Sequence, residues 1–266
     1  MTTTSPMSSI AERLLLGGIC LLTAVGGFVN GASSAAALVG PSDRDTRHTS
    51  VGVLLPDPAM PVPKTCGATL VSPRVVVVAG HCVAIRRQAF GLTRGTVSFD
   101  DDLTDGVQGP TYDGDLVLDP AYTPNSAARD LGAVVLDEPV TGVDPVPLPD
   151  AGTLSAAKAA GALDRVRLVA YGTTQRRPGN VLDGAGARRT SFNEVQGLTQ
   201  GVLKSRATGD QASACDLDSG GAVLFGGEVV AVVSRADAAC STATGSTRLD
   251  RGEVLTWLSG LAADVG

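Results

Sequence analysis

The sequence predicts an all-β fold in two β-domains, closed by one C-terminal helix. Three observations predict it. Short apolar runs recur along the chain with Gly, Pro, Asp and Ser turns between them, the pattern of β-sandwiches and barrels. A Pro-containing stretch from Pro139 to Pro149 divides these runs into two sets. The composition has 33 Gly, 15 Pro and only 3% aromatic residues among 266, which suits many strands and turns better than long helices.

Taken in order, the chain opens with a polar start ending at Arg13. An apolar run, Leu14 to Phe28, follows, interrupted only by Gly and Thr23, and then small residues from Asn30 to Ala37. This is the order of a secretory signal peptide, so residues 1–37 are expected to be removed, with or without a very short propeptide. The run is short for a membrane span. Cys20 follows Ile19 rather than a small residue and reads as part of the removed signal. The expected location is extracellular, with no stable membrane association after signal removal. A first domain then spans 38–145 and a second 146–266.

Strands are expected at Val51–Leu55, Ala68–Val71, Val75–Ala79, Gly95–Phe99, Asp115–Leu118 and Ala133–Leu136 in the first domain. The second offers Arg165–Tyr171, Val195–Leu203, Ala222–Phe225 and Val229–Val233. Val75–Ala79 is continuously apolar, as expected of a strand buried on both faces. Near the end, Val254, Trp257, Leu258 and Leu261 share one face of a helix over Glu253–Leu261. The formal net charge of −6 is spread along the chain, which argues against a nucleic-acid partner.

Four cysteines lie beyond the signal: Cys66, Cys82, Cys215 and Cys240. An even number in an exported chain reads as disulfides, with three possible connectivities. No CxxC or HxxxH spacing supports a metal site, and no cofactor is implied.

The residues that carry chemistry are few. Ser219 stands in Cys215-Asp216-Leu217-Asp218-Ser219-Gly220-Gly221, where two glycines allow a sharp turn beside a hydroxyl. A serine nucleophile needs a base that titrates near neutrality. The chain has two histidines. His48 lies in the polar segment Asp43–Ser50 and reads as an exposed loop residue. His81 ends the apolar strand beside Cys82. Asp130, just before the apolar run Leu131–Leu136, is placed to orient a base.

Ala79-Gly80-His81-Cys82, Arg129-Asp130-Leu131-Gly132-Ala133-Val134-Val135-Leu136 and Asp218-Ser219-Gly220-Gly221 occur in the order His, Asp, Ser. In this the chain resembles the chymotrypsin/trypsin family of serine proteases from about Leu38 to its end. The resemblance implies two antiparallel six-stranded β-barrels with a cleft between them. His81 would be general base and then general acid, Asp130 its orienting partner, and Ser219 the nucleophile that forms an acyl-enzyme. The backbone N–H groups of Leu217 and Ser219 would form the oxyanion hole, and Ser234 would support Asp130. The resemblance pairs Cys66 with Cys82 and Cys215 with Cys240. It also implies that a free amine at Leu38, in Leu38-Val39-Gly40, inserts beside Asp218, and that signal removal after Ala35-Ala36-Ala37 creates that terminus. The implied partners are polypeptide substrates and protein protease inhibitors, and the implied state is a monomer.

The departures from the family pattern have consequences of their own. Leu217 stands where the family has Gly, so a catalytically impaired homologue acting by binding is the alternative reading. The pocket for the residue before the cut draws on Ser213, Ala214, Ser234, Arg235 and Ala236. Ser213 at the pocket base favours apolar or aromatic side chains, Ala236 replaces a usual Gly, Arg235 replaces a usual Trp, and Asp216 sits at the rim. Asp100-Asp101-Asp102 and Asp105 fall where some family members bind calcium, but the spacing is not that of an EF-hand and a solvated acidic loop is expected. Arg176 to Arg189 is expected to form a surface loop. An α/β-hydrolase is excluded because it needs Gly-x-Ser-x-Gly and the order Ser, Asp, His.

Overall fold

A computed structural model describes residues 38–61, 64–172, 186–241 and 243–265. The expected signal segment 1–37, and residues 176–185 of the expected surface loop, lie outside the described residues. Strands β1 (Asp43–Arg44), β2 (Val51–Leu54), β3 (Cys66–Ser72) and β4 (Val75–Ala79) lead into a short helix α1 (Gly80–Ala84), extended by a π-type turn at Ile85–Ala89. Then come β5 (Arg94–Ser98), β6 (Thr111–Leu118), β7 (Leu131–Leu136) and helix α2 (Thr153–Ala159). The second half contains β8 (Arg165–Ala170), β9 (Arg189–Leu198), β10 (Val202–Arg206), β11 (Ala222–Phe225), β12 (Glu228–Ala236), β13 (Ala243–Arg248) and helix α3 (Gly252–Ala263).

The strands close two antiparallel six-stranded barrels. The first runs β2-β3-β4-β7-β6-β5; the second runs β9-β10-β13-β12-β11-β8, closed by a β8–β9 pairing, with β1 added outside β9. The expected fold class is the one formed. Strand β4 explains why the barrels stay together. All five of its residues are buried. Val76 and Val78 fill the first barrel with Leu54, Leu70, Leu116 and Val134. Val75 and Val77 face the other way, into a cluster shared with Val169, Tyr171, Ala222 and Val232 of the second barrel. Each fully buried valine contributes about 1.5–3 kcal/mol, so this strand, with Val51, Val53, Leu131 and Ala133 beside it in the shared cluster, ties both cores.

The stretch between the barrels has no regular structure as far as Asp150, as its prolines predict. It is stitched to both sides: Val146 N–H donates to Leu70 O (2.9 Å) and Val229 N–H to Pro147 O (3.0 Å). Helix α3 buries Val254 and Leu258 fully, with Trp257 and Leu261 packed against the shared cluster. Among the described residues no helix is long and apolar enough to cross a membrane.

Several elements differ from expectation, among them β1 in the polar stretch before Ser50, helix α1 with its π-type turn, and β9, which begins at Arg189 of the expected surface loop just after buried Arg188. Val195–Leu203, read as one strand, is a hairpin: the chain turns after Leu198, where Val202 N–H bonds Thr199 Oγ1 (3.0 Å) and Thr199 N–H bonds Val202 O (2.9 Å). β13 was not expected, because Ala-Thr-Gly-Ser-Thr-Arg lacks an apolar alternation. Barrel closure alone buries its Thr244, Ser246 and Thr247. Helix α2 lay unread because only Leu154 on it is buried.

Candidate active site

The β4–β7 register builds the first half of the site. Ala79 lies opposite Leu131, so His81, two residues beyond Ala79, and Asp130, one residue before Leu131, meet although 49 positions apart. Asp130 grips the histidine twice: its Oδ1 accepts the His81 backbone N–H and its Oδ2 contacts Nδ1, both at 2.7 Å. That contact selects the tautomer with the proton on Nδ1 and leaves Nε2 as the free basic nitrogen.

The second barrel completes this carboxylate. Ser234 Oγ donates to Asp130 Oδ2 at 2.6 Å. The β12–β13 register slips between Val233 and Arg235, and this bulge re-aims Ser234 towards the other barrel. Thr247 Oγ1 donates to the carbonyls of Ala127 (2.8 Å) and Asp130 (3.2 Å), fixing the backbone at Asp130. Burial pushes the Asp130 carboxyl up. Hydrogen bonding and charge from His81, the Ser234 hydroxyl and the His81 amide outweigh it, so the group stays below the ordinary carboxyl range.

Ser219 sits on a loop pinned from both sides. Its carbonyl accepts the N–H of Gly67 in β3 at 2.7 Å, and Gly220 N–H donates to Val233 O at 2.7 Å. Gly220 has φ 86°, and a Cβ there would lie 2.1 Å from Gly67 O, so only glycine permits this approach. Ser219, His81, Leu217, Ser234, Arg235 and Ala236 line one cleft of about 310 Å³. Ser213 and Ala214, expected in the pocket, are buried behind it and do not line it. Ser213 pairs through its backbone with Val39. Its hydroxyl is buried without a hydrogen-bond partner among the described residues.

Leu217 has φ 72°, the left-handed conformation that a side chain resists by about 1–2 kcal/mol. The Leu217 and Ser219 N–H groups donate to no acceptor among the described residues. Between them, Asp218 is fully buried. Its carboxylate accepts N–H groups of Cys215 and Gly172, each at 2.8 Å, and of Leu38. Burial pushes it up to about 7, the amides oppose this, and the charge of Asp216 adds to it. Leu38 is itself wholly buried, with φ 67°.

The two disulfides are Cys66–Cys82, with Cα atoms 6.5 Å apart beside His81, and Cys215–Cys240, with Cα atoms 4.9 Å apart at the cleft wall. Cys215, Asp216 and Cys240 crowd together, but both thiols are spent in the disulfide. In the acidic loop, Arg44 pairs with Asp101 (3.2 Å) and Asp102 (2.9 Å). His48, expected to be exposed, is half-buried because its Nδ1 contacts buried Asp45 at 2.7 Å. Sequence reasoning missed Thr247, whose hydroxyl looks like any other on a polar strand. It also missed Met60, Lys64, Thr65 and Ile85, which line the cleft on the far side of Ser219 but carry no motif.

Two barrels enclosing a cleft with a buried Asp–His pair and a facing serine define a class, the serine-type endopeptidases, and the comparisons bear this out. A family model described as Trypsin matches residues 44–257. The chain belongs to the trypsin family and is a hydrolase acting on polypeptides. Among solved structures, one titled HL collagenase aligns at a TM-score of 0.65 and 14% identity, over 85% of this chain and 98% of its own. That likeness shows the two-barrel fold. A search of curated proteins finds no match.

Proposed function

We propose that the protein is a secreted endopeptidase using His81, Asp130 and Ser219 as its catalytic triad. The observation that carries this is the hydrogen-bonded pair His81–Asp130, whose free nitrogen shares one cleft with Ser219. His81 takes the Ser219 proton as Oγ attacks the scissile carbonyl. It then gives that proton to the leaving amine, and water hydrolyses the acyl-enzyme by the reverse sequence. Asp130 stays ionised and stabilises the imidazolium. The Leu217 and Ser219 N–H groups receive the developing oxyanion, where each donor is worth about a hundred- to a thousand-fold in rate. Strain at Leu217 supports the alternative of an impaired, binding homologue. The N–H that matters is nonetheless uncommitted, and this favours activity.

Activation follows from Leu38 and Asp218. A free amine at Leu38 supplies the cation that a fully buried Asp218 lacks. It also removes the left-handed strain at Leu38, since a terminal residue has no φ to satisfy. Signal removal after Ala37 would create that amine, and two disulfides suit an oxidising compartment. The domains run 38–145 and 146–266, meeting within the irregular stretch. The pocket wall of Ser234, Arg235 and Ala236, with Ser213 and Ala214 buried rather than lining it, carries no carboxylate of its own and favours an apolar or aromatic residue before the cut, in substrates and in protein inhibitors alike. The mature enzyme is a monomer free of the membrane. Profiling cleavage of a peptide library by the secreted protein, with sequencing of its N-terminus, tests all of this. The expected results are cuts after apolar residues and a start at Leu38. Cuts after Arg or Lys, or a start well beyond Leu38, would contradict it.

A further inference from the structure

Two hollows on the outer face of the second barrel meet at Phe192. Across β8–β9, Arg167 lies opposite Phe192 and Arg165 opposite Glu194. Residues two apart share a face of the sheet, so both arginines reach the ring, with guanidinium carbons 4.0 and 4.6 Å from its centre. On one side is a groove of about 660 Å³, lined also by Arg47 and Arg189. On the other is a hollow of about 380 Å³ with an apolar lining of Val146, Leu224 and Phe225. Arg165, Arg167 and Phe192 line both, and no residue of the candidate active cleft lines either.

Four arginines of these hollows hold no ion pair with a carboxylate among the described residues. Arg44, Arg94, Arg129, Arg188, Arg248 and Arg251 each pair with a carboxylate. Among the described residues, Arg47, Arg165, Arg167 and Arg189 form no such pair. Arg189 donates to Ser42 and Arg167 to Thr190. Asp43 and Asp210 line the cationic groove and Asp164 the apolar hollow, and Glu194 lies across from Arg165 but accepts from Thr208; none of the four forms an ion pair with these arginines. Asp45 is taken by His48 and Arg188. Burial first, then repulsion from Arg47, holds the Arg167 guanidinium below its usual value, against the attraction of Asp45 and Asp43. A chain of net charge −6 does not gather unpaired cations in one groove through composition alone.

We propose that these joined hollows are an exosite for an acidic segment of a protein substrate, with an apolar side chain seated beside its carboxylates. A guanidinium presents a planar fork that fits a carboxylate with two N–H bonds, and its stacking on Phe192 pre-orients that fork. The apolar lining selects a polypeptide. A sulfated polysaccharide supplies anions but nothing for Val146, Leu224 and Phe225 to bury. The exosite would bring acidic proteins to the proposed active site without touching its chemistry.

The test uses a fluorescein-labelled peptide, Glu-Glu-Phe-Glu-Glu-Leu-Glu-Glu, titrated with full-length Ser219→Ala protein by fluorescence anisotropy, so binding is read independently of the triad assignment. Saturable binding is expected, weakening about tenfold or more as salt screens the groove. Arg165→Ser/Arg167→Ser should bind at least tenfold more weakly, and a peptide with Ala for Phe and Leu several-fold more weakly. Arg94→Ser, on the other barrel, should bind as the parent does. If the double variant fails to fold by circular dichroism, exposed Arg47→Ser replaces it, with about a threefold loss expected from one screened charge. Undiminished binding by the arginine variants would overturn the exosite. So would an effect of Arg94→Ser as large as theirs. Equal binding of the alanine peptide, with tighter competition by a heparin fragment, would overturn the acidic-peptide assignment in favour of a sulfated polymer.

Discussion

His81 and His48 each hold a buried aspartate through Nδ1 at 2.7 Å, and both aspartates, Asp130 and Asp45, are held below the ordinary carboxyl range. The surroundings differ. Asp45 also faces the Arg188 guanidinium at 3.8 Å, a cation that already answers its charge. Asp130 has a neutral hydroxyl, Ser234, in that place, so its charge remains available to an imidazolium. On the far side of the ring, His81 faces a cleft that contains Ser219. His48 faces a hollow whose lining includes no serine, threonine or cysteine. A short His–Asp contact and a depressed aspartate therefore do not identify a catalytic histidine. The role proposed for His81 rests on the third group and the cavity as well.

The sharpest way to break this contrast is to delete each histidine. His81→Ala should lower kcat/KM by about a million-fold, as for removal of a triad base, whereas His48→Ala should stay within about threefold because no step uses it. Comparable losses from both, measured on one peptide substrate, would erase the distinction.

Neutralising the aspartates should separate chemistry from stability. Asp130→Asn should cost about ten-thousand-fold in kcat through the wrong tautomer. Asp45→Asn should keep activity but lose about 3–5 kcal/mol of stability by stranding the buried Arg188 charge. Urea melts and kinetics on the same preparations check both halves.

The pH dependence sharpens the role of the third buried aspartate. Asp130 is depressed in the fold, so its contribution is complete above the ordinary carboxyl value and drains away as pH falls through the folded value. Asp218 runs the other way in the unprocessed chain. Raised from 3.8 to about 7, it contributes fully below 3.8 and loses that contribution as pH rises through about 7. A free Leu38 amine reverses the sign by pairing with the carboxylate. Full-length Ser219→Ala protein should lose stability across this window, and the same protein beginning at Leu38 should not. Parallel curves would remove the activation pair.

The smallest effect concerns Leu217. Leu217→Gly should gain up to about 1 kcal/mol in stability by relieving the left-handed strain, with kcat/KM changed less than about tenfold, since the N–H remains where it is. A hundredfold fall would mean that the leucine side chain, not the backbone, shapes the site.

His81, Asp130 and Ser219 were legible because each stands at the end of an apolar strand with local signals beside it. Their meeting was legible only through the family pattern, since nothing local states that Ala79 lies opposite Leu131. β13 and Thr247 stayed hidden because barrel closure, not apolar pattern, buries them. Arg188 reads as a surface residue. It is buried only because Asp45, Val51 and Tyr171 each offer it an oxygen. The arginine groove was invisible because Arg47, Arg165, Arg167 and Arg189 converge only once β8 pairs with β9 and the segment before β2 folds over them.

Ser219, activated by His81, is the proposed nucleophile. Mass spectrometry of the secreted protein treated with a serine-reactive phosphonate tests it most directly. One adduct is expected, mapped to Ser219, absent in Ser219→Ala and unaffected by His48→Ala. An adduct elsewhere, or none on the folded, processed protein, would contradict it.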